Sequence, residues 1–266
     1  MSDYKVSTFN LKNDMPLTRK FLKWMTRRDA VVKCIEKINA DILGVQELTD
    51  EMLDTVSTLK KTYSKVGLPR NKNPKSNSER TDIFYKTSRF TCIASKTFWL
   101  SNNPDKPGSK LFLSPFPRIC TYAMLQDKQT GEIVNVYNTH LDHLFSYTRS
   151  KEAEILIKQL HLLGATKNVI LLGDLNTNSD SNTVKKILSN EIIPLRSVYT
   201  NTPSTNTMHY GNGKLKSNAL PIDYIFVGPE FHVRSTRIII DEFEGMYPSD
   251  HYPVVTMLTL KSEDKI

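Results

Sequence analysis

The chain runs to 266 residues, 39% hydrophobic and 24% charged, and no apolar run approaches the ~20 residues that cross a bilayer. This argues against a membrane-spanning or disordered chain and for one large globular domain over residues 1–266. The formal net charge of +8 is clustered: Thr18–Ile38 carries seven basic side chains against Asp29 and Glu36, and Lys60–Arg80 carries seven against Glu79; such clusters attract polyanions, but a charge run is more often a solvated face, and charge alone names no partner.

In chain order, alternating or short continuous apolar runs predict strands at Lys5–Asn10, Ile42–Gln46, Asp82–Lys86, Phe90–Leu100, Ile119–Leu125, Ile133–Thr139, Val169–Leu172, Ile222–Val227, Val233–Ile240 and Pro253–Leu260. Helical spacing runs through Ala30, Val31, Cys34, Ile35 and Ile38, through Met52, Leu53, Val56 and Leu59, and along Arg149–Leu163, with a shorter helix over Thr183–Leu188. Some strands follow helices and others follow one another through turns such as Gln129–Glu132, so mixed sheets with helices outside are expected. Leu68–Ser78 and Ser101–Pro117 read as long loops, the usual carriers of specificity. The N-terminus lacks the pattern of a secretory signal, so a cytoplasmic location is expected. Cys34, Cys92 and Cys120 are odd in number without CxxC spacing, which points to reduced thiols and away from a cysteine zinc site.

The chemistry gathers where strands end. Asn10 closes the first predicted strand, Glu47 follows the second, His140 follows Asn138-Thr139, and Asp174 with Asn176 follows Val169–Gly173. Asp223 lies inside the apolar Pro221–Val227, where an ionised carboxylate is costly without a cation or hydrogen-bond partner, and Asp250-His251 precedes the last strand. Carboxylates, amides and imidazoles without thiolates form the ligand set of a hard cation, Mg²⁺ or Mn²⁺. Each residue alone has an ordinary structural explanation: a turn for Asn10, a helix start for Glu47, an Asx turn for Asp174 to Asn176, buried structural imidazoles for His140 and His251. All of these would have to coincide in one order.

That order carries a resemblance. Phe9–Lys12, Gln46-Glu47, Asn138–His143, Gly173–Asn176, Ile222–Ile225 and Ser249–His251 together resemble the endonuclease/exonuclease/phosphatase superfamily, typified by the pancreatic-type deoxyribonucleases, from Asn10 to His251. Thr97–Leu100, Pro117–Thr121 and Tyr247–His251 are similar to a bacterial-type branch of unassigned substrate. The resemblance implies a four-layer α/β sandwich, with two mixed, largely antiparallel sheets face to face and helices outside. It implies Asn10, Glu47 and Asp250 as metal ligands. Asp174 would orient or deprotonate the attacking water, and Asn176 and Asn138 would contact substrate. His251, bonded to Asp223, would face the scissile phosphate, His140 would donate from the opposite side, and Glu79 would orient His140. Arg118 is expected to contact phosphate. Asp142, His143 and His209 carry weaker expectations, and Phe98 and Trp99 read as core.

The activity so implied is metal-dependent hydrolysis of a phosphoester by in-line attack of water, and the basic clusters put a nuclease ahead. A phosphatase or phosphodiesterase of a small or lipid-linked phosphate is the alternative, and a silent scaffold is disfavoured because Glu47, His140, Asp174 and His251 are all present. Leu172 before Gly173 and Ile222-Asp223-Tyr224 depart from the inositol-polyphosphate phosphatases, and Asn138–Leu141 departs from the abasic-site endonucleases. A monomer without a transmembrane segment is expected.

Overall fold

The computed structural model describes residues 2–73, 78–164, 166–199, 205–216 and 218–261. Its strands are β1 (Ser2–Asn10), β2 (Ile42–Gln46), β3 (Tyr63–Val66), β4 (Ile83–Lys86), β5 (Phe90–Trp99), β6 (Ile119–Asp127), β7 (Ile133–His140), β8 (Val169–Asp174), β9 (Arg196–Ser197), β10 (Asp223–Val227), β11 (Phe231–Ile238) and β12 (Val254–Leu260). The α-helices are α1 (Trp24–Ile38), α2 (Asp50–Val56), α3 (Ser146–Leu162) and α4 (Asn182–Leu188).

The strands form two six-stranded sheets, ordered β11-β12-β1-β2-β4-β3 and β5-β6-β7-β8-β10-β9. Two pairs are parallel, β1 with β2 and β7 with β8, and the others are antiparallel. Each parallel pair brackets a long helix, α1 or α3, because parallel neighbours need a crossover. The expected sandwich is therefore the observed one.

Strand periodicity decides what each layer contains. Tyr4, Val6 and Ile42 of one sheet meet Val134, Val136, Ile170, Leu172, Ile225 and Val227 of the other in the central core. The intervening residues point outward: Phe9, Leu43 and Val45 pack under α1 and α2, whereas Tyr137, Leu171 and Phe226 pack under α3 and α4. Burying each such aliphatic side chain stabilises by roughly 1.5–3 kcal/mol. Along the inward-facing parity the apolar side chains give way at one end to Thr8, Gln46 and Asn138, then to Asn10, His140, Asp174 and Asp223. The site is thus the polar continuation of the core stripe.

The structure adds detail that the periodicity misses. Helix α1 begins at Trp24, six residues before the first apolar position of the pattern, because Arg27 occupies a buried position and Asp14 accepts the Trp24 N–H at 2.9 Å. Strands β3 and β9 have no counterpart among the predicted strands; β3 is a short edge strand and β9 is only two residues long. Part of the Leu68–Ser78 loop, residues 74–77, lies outside the described residues, and Lys75 of the second basic cluster with it.

Candidate active site

One sheet contributes Asn10 at the end of β1 and Glu47 just past β2, whose last residues are paired, Asn10 with Gln46. The other contributes His140, Asp174 and Asp223, which are direct register neighbours: His140 pairs with Asp174 across β7 and β8, and Asp174 with Asp223 across β8 and β10. The groups therefore meet across the gap between the sheets. Lys12, Glu47 and Asn176 hold positive φ angles of 59°, 57° and 51°, unfavourable for side chains with a Cβ, and all three line the same pocket. Such strain is tolerated where surrounding structure fixes it, commonly at functional sites.

The Asn10 amide nitrogen donates to Glu47 Oε1 at 3.0 Å and to Asp174 Oδ2 at 2.9 Å, joining carboxylates of the two sheets. Glu47 Oε2 accepts the Asn13 N–H at 2.7 Å. Burial pushes the Glu47 carboxyl up, but the Lys12 charge and the bonds from Asn13 and Asn10 outweigh it and hold it below the usual range. Asp250 stands in the same pocket, its carboxyl raised mainly by burial.

His251 Nδ1 donates to Asp223 Oδ2 at 2.9 Å, and its Nε2 lies 3.8 Å from Asp174 Oδ2. Burial opposes the imidazolium, yet Asp223 and Asp174 raise its pKa well above the ordinary histidine value, so the ring is a cation held between two carboxylates. Asp174 is raised to about 7 by burial and by the neighbouring Asp223 charge. His140 is the opposite case: burial, then Arg118 and Arg70, push it well below the usual value. The Asn176 amide nitrogen donates to His140 Nε2 at 2.9 Å and to Leu141 O at 3.0 Å, which leaves the proton of neutral His140 on Nδ1. Asp174 Oδ1 in turn accepts the Asn176 N–H at 2.8 Å. One neutral and one charged imidazole thus flank Asp174.

Two overlapping groups are suited to a cation. Asp174, Asp223 and His251 bring one ligand atom each within 4.8 Å of one another. Glu47 and Asp174 instead converge on the Asn10 amide nitrogen, while the Asn10 oxygen accepts the Lys12 N–H at 2.9 Å, so Asn10 offers oxygen to a cation only once its amide turns. A cation in the first group must take a ring nitrogen of His251 that the two carboxylates favour in its protonated form. In the second, carboxylates of two strands converge on a single amide, an arrangement whose repulsion a hard cation relieves.

On the far side of His140 the pocket is basic. Arg70 donates to Glu79 at 2.7 Å and lies over the Phe116 ring at 4.7 Å, and Arg118 meets His143 Nδ1 at 3.0 Å. Glu79 Oε2 is 3.9 Å from His140 Nδ1, so it faces the histidine without a direct hydrogen bond, and its close partner is Arg70. Arg118 is 4% exposed and has no carboxylate partner among the described ion pairs. The cavity joining these groups has a volume of about 210 Å³, with Met15, Phe116 and Met208 at its edge.

Asn138 requires a correction. Expected to contact substrate, it is fully buried beneath the site: its amide nitrogen donates to Val45 O at 2.8 Å and Asp82 O at 2.9 Å, and its oxygen accepts from Gln46 at 2.6 Å. It ties the sheets together. The other expected site residues do converge, with Asn10 and Asp223 just behind the pocket wall and the remainder lining it. Asp142 supports the loop after His140, accepting from Leu144 N and Phe145 N at 2.9 Å, and His209 packs on Tyr252 with ring centroids 4.0 Å apart. Lys12, Arg70 and Phe116 were missed; Arg70 was visible only as one charge in a basic cluster.

The basic clusters also change meaning. Arg27 is buried and donates to the carbonyls of Leu11, Lys12, Leu22 and Pro248, bracing the loop beneath Glu47. Arg80 and Lys65 pair with Asp82, and Lys33 and Lys37 pair with Glu244 and Asp241. Many of these cations are consumed internally.

A family model described as the endonuclease/exonuclease/phosphatase family matches residues 7–251, spanning every strand end that builds the site. The chain belongs to this family. Among solved structures, an endonuclease/exonuclease/phosphatase family protein from Bacteroides thetaiotaomicron is 27% identical, with a TM-score of 0.89 over 98% of this chain and 99% of that one. A mannosyl-6-phosphatase from the same organism is 28% identical, with a TM-score of 0.87 over 97% and 100%. The human nocturnin catalytic domain, at 21% identity and a TM-score of 0.77 over 97% and 95%, shares the fold. No curated protein matches the chain. Members of the endonuclease/exonuclease/phosphatase family include phosphoester hydrolases acting on nucleic acids and on small phosphorylated molecules.

Proposed function

We propose that the protein is a Mg²⁺- or Mn²⁺-dependent hydrolase of compact phosphoesters. The observation that carries this reading is the pocket itself: acidic groups at one end, Arg70 and Arg118 at the other, within about 210 Å³. That is below the ~300–1,000 Å³ of drug-sized ligand sites, and fits one phosphorylated moiety better than a run of nucleotides. The 28% identity to a mannosyl-6-phosphatase along almost the whole chain supports the same substrate class.

Glu47 and Asn10 would hold the cation, with Asp250 beside them. The bound cation supplies charge neutralisation at the phosphoryl oxygens and acidifies water. Asp174, poised at about 7 when no cation is bound, orients the attacking water and accepts its proton. His251 keeps its proton through Asp223 and presents a cationic donor to the phosphoryl group. Asn176 fixes neutral His140 through Nε2 and stands ready to donate to a phosphate oxygen in its place. Arg118 and Arg70 neutralise substrate charge, while Glu79 holds Arg70 and faces His140.

A nuclease is the second reading. It is favoured by the exposed Arg19, Lys20 and Lys23, in the segment that continues from Met15 at the pocket edge. One panel tests both: soluble sugar phosphates, aryl phosphate mono- and diesters, and single- and double-stranded oligonucleotides, each with Mg²⁺ or Mn²⁺ and with a chelator. We expect chelator-sensitive turnover of the small esters, lowered at least about 10²-fold in Glu47→Gln and Asp174→Asn. Preferred cleavage of oligonucleotides would transfer the assignment to the nuclease, and hydrolysis untouched by both substitutions would refute the site.

A further inference from the structure

Scattered exposed apolar residues are ordinary on a protein surface; their concentration is not. Of the nineteen large hydrophobic side chains exposed among the described residues, twelve fall in four segments, 15–25, 110–116, 143–147 and 208–216. Each segment contributes one residue to the catalytic pocket: Met15, Phe116, His143 and Met208, respectively. The first and last abut, since a Cβ on Gly211 would lie 2.6 Å from a Leu22 methyl and 2.9 Å from the Phe21 ring. Each of the four segments thus reaches the rim of the catalytic pocket, while Phe112, Leu113 and Tyr147 also line a second cavity of about 470 Å³ against α3, with Lys151 and Glu154. Leu17 and Phe112 stand furthest out, 96% and 97% exposed.

The charges in the same four segments are all of one sign. They contain six basic residues, Arg19, Lys20, Lys23, Lys110, Lys214 and Lys216, all exposed, and no Asp or Glu. Their surplus of six compares with +8 for the whole chain. Many cations elsewhere pair with acids, as Lys33, Lys65, Arg80 and Arg89 do, whereas none of these six has a partner among the described ion pairs. Protruding apolar side chains interleaved with lysine and arginine are suited to an anionic lipid surface, where the tips enter the headgroup and acyl boundary and the cations meet lipid charge. Six of the twelve apolar residues are Leu or Met, which offer no face for base stacking, and the other six are Phe or Tyr, which suit the headgroup boundary as well as a base.

We infer that the mouth of the pocket docks on an anionic lipid bilayer. Docking sets the phosphoester site against the headgroup layer. Resting on the hydrolase reading above, the natural substrate is then a phosphorylated headgroup displayed at that surface. Neither Leu17 nor Phe112 lines the catalytic pocket, so docking and chemistry are separable.

The test is co-sedimentation of the full chain, in chelator so that no hydrolysis is needed, with vesicles of phosphatidylcholine alone or mixed with phosphatidylglycerol. The expected result is binding at least about tenfold stronger to the mixed vesicles, weakened at least about tenfold by Leu17→Ser with Phe112→Ser and by Arg19→Ser with Lys20→Ser and Lys23→Ser. Both sets should leave the circular dichroism spectrum and turnover of a soluble aryl phosphate unchanged, while lowering turnover of a phosphoester embedded in anionic vesicles. Equal affinity for both vesicle types, or variants that bind like wild type, would overturn the proposal. So would retention of a single-stranded oligonucleotide, lost in the same variants, by a protein that ignores vesicles. Vesicle binding by a chain that hydrolyses no phosphoester would uphold docking and defeat only the hydrolase reading.

Discussion

Asp174 carries a conflict between stability and use. Its carboxyl is buried, next to Asp223, and raised from 3.8 to about 7. An acid whose folded pKa lies above its unfolded pKa binds its proton more tightly when folded. Its contribution to stability is therefore full below about pH 4 and lost as the pH rises towards about 7. Asp174→Asn removes that penalty. Measured by thermal unfolding in chelator, the variant should match wild type near pH 4 and be more stable at pH 8, with each kcal/mol worth about 2–4 °C at this chain length. An equal melting temperature at pH 8 would mean that the carboxylate is already compensated. At this scale most of the site is legible in the sequence, because Asn10, His140, Asp174 and Asp223 continue the apolar stripe with period two. Asn138 shares that parity but sits one layer too deep, and parity alone does not measure depth. Arg70 was hidden for a different reason: only the fold brings its loop beside Glu79 and Phe116.

At the level of elements, α3 steadies the loop that follows His140. Glu152, buried on this helix, accepts the Asp142 N–H at 2.7 Å, while its other oxygen has no partner. Burial raises it from 4.5 to about 8 against the opposing pull of that bond and of Arg118. The folded protein keeps this proton where the unfolded chain has lost it, so stability falls between about pH 4.5 and pH 8, by at most ~1.4 kcal/mol per pH unit. Glu152→Gln cannot titrate. Urea unfolding at pH 5 and pH 8 should show a smaller loss of stability for the variant than for wild type, and an identical loss would assign the pH dependence elsewhere. Nothing in the pattern of α3 announces this role, because a glutamate in a helix is ordinarily solvated. The start of α1 was equally hidden: Arg27 fills a core position through four carbonyl bonds that no hydrophobic periodicity registers.

Over the whole molecule, charge was the least reliable guide, because net charge says nothing about pairing. The surplus read as a nucleic-acid footprint is partly spent on Asp82, Glu79, Asp241 and Glu244. The separation of the sheets matters more to the site, since Asn10 and Glu47 come from one and Asp174, His140 and Asp223 from the other. That separation is set just below the site by Gln46, Asn138 and Gly44. A Cβ on Gly44 would lie 1.9 Å from Leu172 Cδ1 and 2.9 Å from Asn138 Cγ. The leucine methyl can swing aside, but Asn138 is held by bonds to Val45 O, Asp82 O and Gln46 and has little freedom. Gly44→Ala should therefore part the sheets at this layer, at a cost of about 1–3 kcal/mol for overpacking. The Asn10 bridge between Glu47 and Asp174 spans the same gap, so affinity for the cation should fall together with the melting temperature. Calorimetric titration of Mn²⁺ into the variant, well below its melting temperature, separates the two effects: weakened binding by a still-folded chain ties the site to sheet spacing. Unchanged binding beside a lowered melting temperature would show that the gap closes above Gly44 independently of the packing beneath it.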